Sequence, residues 1–158
     1  MAAPRHPLQP FAHCALEYDM IFVLLAVSGK NWEPEAALYE FEIDGCQVWR
    51  QGDALRYGRG RVHDDSGFSA SLPEQPSWSA AEIEIRTLLA EFRPILSSLT
   101  PRSVDINLRF GLTVGSSTAY VSSITFPVDL LAELATAKVN VSVTGYPTSD
   151  EPTGDPSQ

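Results

Sequence analysis

The sequence predicts an α+β fold in which an antiparallel-rich sheet carries helices on one face. Segments with a two-residue period, typical of strands, interleave with segments whose apolar residues recur at helical spacing. One predicted strand alternates apolar and polar residues along its length, which indicates that one of its faces is buried and the other is exposed to solvent. A short turn after it predicts a hairpin. The predicted order is β-α-β-β-α-β-β-α-β, with ferredoxin-like units.

The first predicted strand ends at Gly29, after a continuously apolar run that indicates a central position in the sheet. A short helix follows. We expect Asn31 to cap it, Pro34 to occupy its first turn and Gly45 to end it. A short strand then covers residues 46–52, and we expect its tryptophan to pack against the core.

A long helix is predicted between two later pairs of strands. Residues 67–73 form the strand before it, and Ser79 and Glu82 have the spacing of a capping box. Pro94 predicts a kink in this helix and Pro101 predicts its end. Its apolar stripe consists of Ile85, Leu88, Leu89, Phe92, Leu96 and Leu99.

The last third of the chain predicts a hairpin, a helix and a closing strand. Residues 104–114 alternate strictly between apolar and polar, which argues for antiparallel neighbours. Residues 118–127 are the predicted hairpin partner. Pro127 opens a helix over 128–137, and valines alternate in the strand 138–146.

One domain is expected, with a tail at each end. Residues 1–10 and 147–158 are rich in proline and poor in large apolar side chains, so we expect flexible tails. Residues 11–146 remain for a single α+β domain with one core. The chain has 158 residues and a net charge of −9, which opposes binding to nucleic acid.

The sequence also predicts a cytoplasmic protein that does not bind membranes. The beginning of the chain lacks the pattern of a signal peptide. Its longest apolar run is far shorter than the roughly 20 residues that span a bilayer. Cys14 and Cys46 are too few for a disulfide framework, so we expect two reduced thiols.

Basic residues concentrate in the segment Trp49–Asp65. It contains Arg50, Arg56, Arg59 and Arg61. Three interpretations are open: a nucleic-acid contact, a solvated loop whose arginines pair with local carboxylates, and a specific protein contact. The acidic chain and the aspartates within the segment disfavour nucleic acid. Its glycines lack the third glycine of a dinucleotide-binding loop, because His63 stands there.

No complete catalytic, metal or cofactor motif is present. A metal site needs three or four converging ligands, and the sequence suggests no such set. The alternative to a binding protein is a small enzyme that uses Cys46 and His63 as a nucleophile pair. A further alternative is an oligomerisation module that uses the wet face of one strand, with Asp105, Asn107 and Arg109.

The first helix carries more acidic residues than its structure requires. Glu33 and Glu35 lie near its N-terminus, where the helix dipole favours negative charge. Glu40, Glu42 and Asp44 lie towards its C-terminus, where negative charge is unfavourable. They are either a solvated face or an acidic patch for a basic partner.

Several short motifs resemble those of a bacterial family, domain of unknown function 4279. The acidic helix with Pro34-Glu35, the stretch Trp49–Asp53 and the strand Gly67-Phe68-Ser69 follow that family's order, and the resemblance covers about residues 16–146. The Arg/Gly-rich run over 57–65 departs from it. The resemblance implies an α+β fold, no recognised catalytic residues and, by analogy, a role beside secreted toxins.

Together these observations predict a non-enzymatic binding protein without a cofactor. The most concrete form is an immunity protein that binds and neutralises a basic bacterial toxin domain. Its oligomeric state stays open. The predicted partner-binding residues are Glu40, Glu42, Asp44, Trp49, Arg56, Tyr57, Arg59, Asp64 and Asp65.

Overall fold

A computed structural model describes residues 21–56, 59–99, 103–114 and 124–147. As the sequence predicts, these residues form an α+β fold with a mixed, mostly antiparallel sheet. Its elements are β1 (Ile21–Gly29), α1 (Pro34–Glu40), β2 (Gln47–Trp49), β3 (Ser66–Ser71), α2 (Trp78–Leu99), β4 (Val104–Val114), α3 (Val128–Thr136) and β5 (Asn140–Pro147).

The sheet is built around β1. Its strand order is β2-β3-β1-β4-β5, and β1 is antiparallel to both β3 and β4. The units β1-α1-β2 and β3-α2-β4 are therefore interleaved, because each contains a strand of the other between its own two strands. This is the split β-α-β arrangement of ferredoxin-like folds. The crossover β4-α3-β5 then adds one parallel strand at the edge.

The parallel pairing of β4 with β5 differs from the predicted hairpin. Most of the predicted return strand, 118–127, lies outside the described residues, and its described part, 124–127, has no regular secondary structure. The edge of β4 that a hairpin partner would need is occupied by β5. The alternation of β4 correctly indicates one buried face, but it does not determine the direction of its neighbours.

One face of the sheet and the three helices enclose the hydrophobic core. Every second residue of β1, from Ile21 to Val27, is buried in it, opposite Phe68 of β3 and Leu108 of β4. The predicted stripe of α2 is buried along its whole length. Burial of this apolar surface is the main favourable contribution to folding.

Aromatic rings fill the core at its two ends. Phe68 is fully buried, with its ring 6.1 Å from that of Trp32 and 6.0 Å from that of Phe92. Trp32 also donates a hydrogen bond from Nε1 to the Ser66 carbonyl, 2.7 Å away. At the other end, Trp78 packs against Phe110 with ring centroids 5.8 Å apart.

The helix ends differ in detail from the prediction. Asn31 does not cap α1, since the residue before the helix is Glu33. The helix ends at Glu40 rather than at Gly45, because the Ile43 N–H bonds to the Leu38 carbonyl and closes the last turn.

The long helix α2 begins one residue before the predicted cap, Ser79. The Ser77 hydroxyl accepts the Ala80 N–H at 3.2 Å, so Ser77 takes the capping role. This earlier start places Trp78 against the aromatic rings of the core. The helix continues through Pro94 and ends at Leu99.

Ion pairs of Arg86 join α2 to α3. Its guanidinium lies 2.8 Å from Glu82, 2.8 Å from Asp129 and 3.0 Å from Glu133. Glu82, predicted as part of a capping box, is thus used by this network, and its hydrogen bond raises the pKa of Arg86.

The burial of Phe68 predicts a large cost for its truncation. We expect Phe68→Ala to lower the free energy of unfolding by about 3–5 kcal/mol, because it leaves a cavity between two aromatic rings. Urea unfolding measures this. Phe22→Ala is the matched control, since Phe22 lies on the other face of β1 and is 39% exposed. Equal losses in the two variants would contradict the assignment of the core.

Candidate functional site

The second face of the sheet is covered by none of the described helices. We call it the open face. Its centre is apolar, with Phe22, Leu24 and Ala26 of β1, and its surround is mainly polar. The surrounding residues are Ser28, Ser69, Ser71, Asp105, Asn107, Arg109, Ser142, Thr144 and Tyr146.

The strand register brings distant residues together on this face. Leu24 pairs with Ser71 on one side and with Arg109 on the other. Arg109 pairs in turn with Ser142 of β5. Arg109 is therefore held on a central strand, beside an apolar residue that is distant in the sequence.

Residues 50–65 form a hairpin beside the open face, which we call the 50–65 hairpin. The N–H groups of Gly52 and Leu55 bond to the carbonyls of His63 and Arg61, each at 2.9 Å. The His63 N–H returns a 2.9 Å bond to the Asp53 carbonyl. Residues 57 and 58 lie outside the described part of the chain. The described part of this segment is thus a hydrogen-bonded hairpin, and most of its residues are exposed to solvent.

The base of this hairpin is attached to α1 and to β3. Arg50 Nε lies 2.8 Å from a carboxylate oxygen of Glu35. Backbone hydrogen bonding and then the Arg50 guanidinium lower the pKa of Glu35. The Gln51 N–H bonds to the Ser66 hydroxyl at 3.1 Å. These contacts fix the direction in which the hairpin leaves the sheet.

Trp49 lies on the open face, which corrects the expectation that it packs against the core. It pairs with Gly67, whose neighbour Phe68 points to the helices, so Trp49 points the other way. A Cβ atom on Gly67 would overlap its ring. Trp49 Nε1 donates to Asp65 at 3.1 Å, and the ring stacks on His63 with centroids 5.2 Å apart.

Two adjoining cavities lie across the open face. The first, of about 720 Å³, lies between the 50–65 hairpin and the sheet. The second, of about 860 Å³, extends over Phe22 to Tyr146 of β5. Leu24 and Arg109 line both cavities, so the two adjoin at these residues. We call this combined space the trough.

Arginines give the trough a positive character. Arg56, Arg61 and Arg109 line it. Within the described residues, Arg61 and Arg109 form no ion pair or side-chain hydrogen bond. Two aspartates also line the trough, fewer than its arginines: Asp53 accepts a hydrogen bond from the Arg50 N–H at 2.7 Å, and Asp65 accepts one from Trp49 Nε1.

The structure brings together some of the predicted binding residues. Trp49, Arg56 and Asp65 line the trough. Arg59 and Asp64 are exposed on the hairpin. Tyr57 lies outside the described residues.

The predicted acidic residues do not line the trough. Glu40, Glu42 and Asp44 are exposed at the end of α1, and none of them forms an ion pair with another described residue. Glu40 lines a separate cavity of about 440 Å³ beside Lys30 and Trp32.

Sequence reasoning missed Leu24. It placed Arg61 in a candidate contact segment and Arg109 on a candidate oligomerisation surface, but it did not predict that the two line one site. A signal was present, because the apolar run of β1 continues at residues that face away from the helices. Such a run indicates that both faces of a strand need cover or a partner.

Cys46 and His63 do not form a nucleophile pair. Cys46 packs against the core on the helix side of the sheet, whereas His63 stacks on Trp49 at the open face. Burial, followed by the carboxylates of Glu91 and Asp44, raises the pKa of the Cys46 thiol. A raised pKa disfavours the thiolate that nucleophilic catalysis requires.

Two further searches of the described residues gave negative results. No group of three or more His, Cys, Asp and Glu side chains among them is arranged to hold a metal ion. None of the described helices has the length and apolar character needed to cross a membrane.

Comparisons of the chain with family models, curated proteins and solved structures found no match. The resemblance to domain of unknown function 4279 therefore stays a prediction.

The contact between Trp49 and Gly67 can be tested by adding one methyl group. We expect Gly67→Ala to lower the free energy of unfolding by about 1–3 kcal/mol, because its Cβ would overlap the Trp49 ring and the Val27 carbonyl. Ser71→Ala, an exposed position on the same strand and face, is the control. Urea unfolding of both variants measures the difference, and a Gly67→Ala variant as stable as the parent protein would refute the packing.

Proposed function

We propose that the protein is a non-enzymatic binding protein whose binding surface is the open face together with the 50–65 hairpin. The observation that supports this most strongly is the trough, which crosses a sheet face without a described helix and joins apolar residues to arginines. A two-layer α+β domain needs only one sheet face for its core, so the other face is available for a partner.

The composition of this surface is typical of protein interfaces. Phe22 is 39% exposed and Tyr146 is 54% exposed, and they lie at one end of the trough. Trp49 and Arg61 lie at the other end. Aromatic side chains and arginines contribute most of the binding energy in typical interfaces.

An immunity protein for a bacterial toxin is the more specific form of this proposal. The net charge of −9 favours encounter with a basic partner. The exposed carboxylates of Glu40, Glu42 and Asp44 add to this charge at the end of α1. In this form, the acidic end of α1 steers a basic toxin domain, and the open face supplies the contact area.

Site-specific photo-crosslinking tests whether the open face binds a partner. We expect benzoylphenylalanine at Ser142 or Thr144 to crosslink one discrete protein in a lysate of the native host. Unlabelled protein in excess should abolish the product. The same group at Glu84 or Ala90, exposed positions on α2, is the control. Crosslinking of equal yield from the helix positions would contradict the proposed surface.

Co-expression tests the immunity hypothesis separately. If the protein is an immunity protein, a neighbouring gene should encode a product that arrests growth of a heterologous bacterial host. Co-expression of this chain should restore growth, measured as colony counts, whereas a Glu40→Gln, Glu42→Gln, Asp44→Asn variant should restore less. A product without toxicity, or toxicity that this chain does not relieve, would exclude the immunity role. Neither result would bear on the proposed binding surface.

A further inference from the structure

We infer that the trough binds an extended acidic peptide segment of a partner protein, with a carboxylate of that segment held by Arg109 and Arg61. This inference rests on the proposed binding function and specifies the chemistry of its ligand. It also separates the trough, which is suited to an acidic segment, from the acidic end of α1, which is suited to a basic one.

The shape of the trough favours an extended chain. Residues of all five strands line it, from Gln47 of β2 to Tyr146 of β5. Four strand-to-strand spacings cover on the order of 19 Å, which about six extended residues span. The trough is open to solvent along its length, so a peptide can enter from the side.

The charges of the trough favour an acidic ligand. Arg109 and Arg61 have no described carboxylate partner, whereas Arg50 and Arg86 are both ion-paired. A guanidinium binds a carboxylate through two parallel hydrogen bonds, so an arginine without a partner in an acidic protein is suited to a carboxylate from outside. Asp53 and Asp65 also line the trough, but its three arginines, Arg56, Arg61 and Arg109, outnumber them.

The floor of the trough suits the apolar side chains of the same segment. Leu24 and Ala26 lie beside Arg109 on the neighbouring strand, and Phe22 continues the apolar floor. Side chains of an extended peptide alternate between its two sides. A segment with apolar residues on one side and an acidic residue at its centre can therefore contact Leu24 and the arginines together.

A nucleic acid is the competing anionic ligand, and the whole-chain charge disfavours it. The net charge of −9 repels a phosphate backbone, which carries a charge at every nucleotide. A single carboxylate on an otherwise apolar segment meets the arginines locally without that repeated repulsion.

Fluorescence polarisation with defined peptide pools tests the inference on the full chain. The probe is a fluorescein-labelled heptapeptide pool with Asp or Glu at the central position and Val, Leu or Tyr at the others. Matched pools carry Asn or Gln, or Lys, at the centre. We expect the acidic pool to bind at least about tenfold more tightly than either matched pool, because charge-assisted hydrogen bonds are the stronger kind.

Charge-removing variants assign the effect to the trough. We expect Arg109→Gln, and to a smaller extent Arg61→Gln, to remove the preference for the acidic pool. Arg93→Gln is the matched control, because Arg93 is exposed on α2 at the opposite side of the sheet. Unchanged unfolding temperatures of all three variants verify that a loss of binding is not a loss of folding.

Three outcomes would overturn the inference. They are equal affinity for the acidic and amide pools, a preference for the lysine pool, and unaltered binding by Arg109→Gln. Displacement of the acidic pool by an equimolar thymidine oligonucleotide would assign the site to nucleic acid instead. If crosslinking from Ser142 to a partner persists in any of these cases, the binding surface stands and only the acidic ligand is wrong.

Discussion

The pairing of β1 with β3 and β4 is the constraint on which the rest of the structure depends. Successive residues of β1 point to opposite faces of the sheet. The odd-numbered residues from 21 to 27 are buried against the helices, and the even-numbered residues from 22 to 26 form the apolar centre of the open face. A slip of one residue in either register would exchange the two sets. It would also move Arg109 away from Leu24, so the fold and the trough are specified by the same hydrogen bonds.

Local patterns in the sequence were sufficient for most of the elements. The apolar stripe of α2 and the alternation of β4 are strong periodic signals, and the apolar residues that they single out are the ones that are buried. Choices that depend on tertiary packing were not predicted. The N-cap of α2 is Ser77 rather than Ser79, since the helix already begins at Trp78, which packs against the core. The strand that pairs with β4 is β5 rather than a hairpin partner.

The trough was predictable only in part, for a similar reason. Trp49, Arg56 and Asp65 lie close together in the sequence, and their residue types marked the segment as a contact surface. Leu24 and Arg109 meet only through strand register, which no local pattern determines. The orientation of Trp49 follows from its pairing with Gly67, and a single tryptophan in a three-residue strand does not reveal its face.

The attachment of the 50–65 hairpin has a consequence for selectivity. A few backbone hydrogen bonds and the exposed Arg50–Glu35 ion pair hold the hairpin, whereas the strand that carries Arg109 is hydrogen-bonded on both edges. Opening of the hairpin therefore costs less free energy than opening of the sheet. Under the proposed binding function, the sheet that carries Arg109 is the more rigid side of the trough and the hairpin the more deformable one, so ligands that share a charge at Arg109 but differ in bulk near the hairpin should bind with similar affinity.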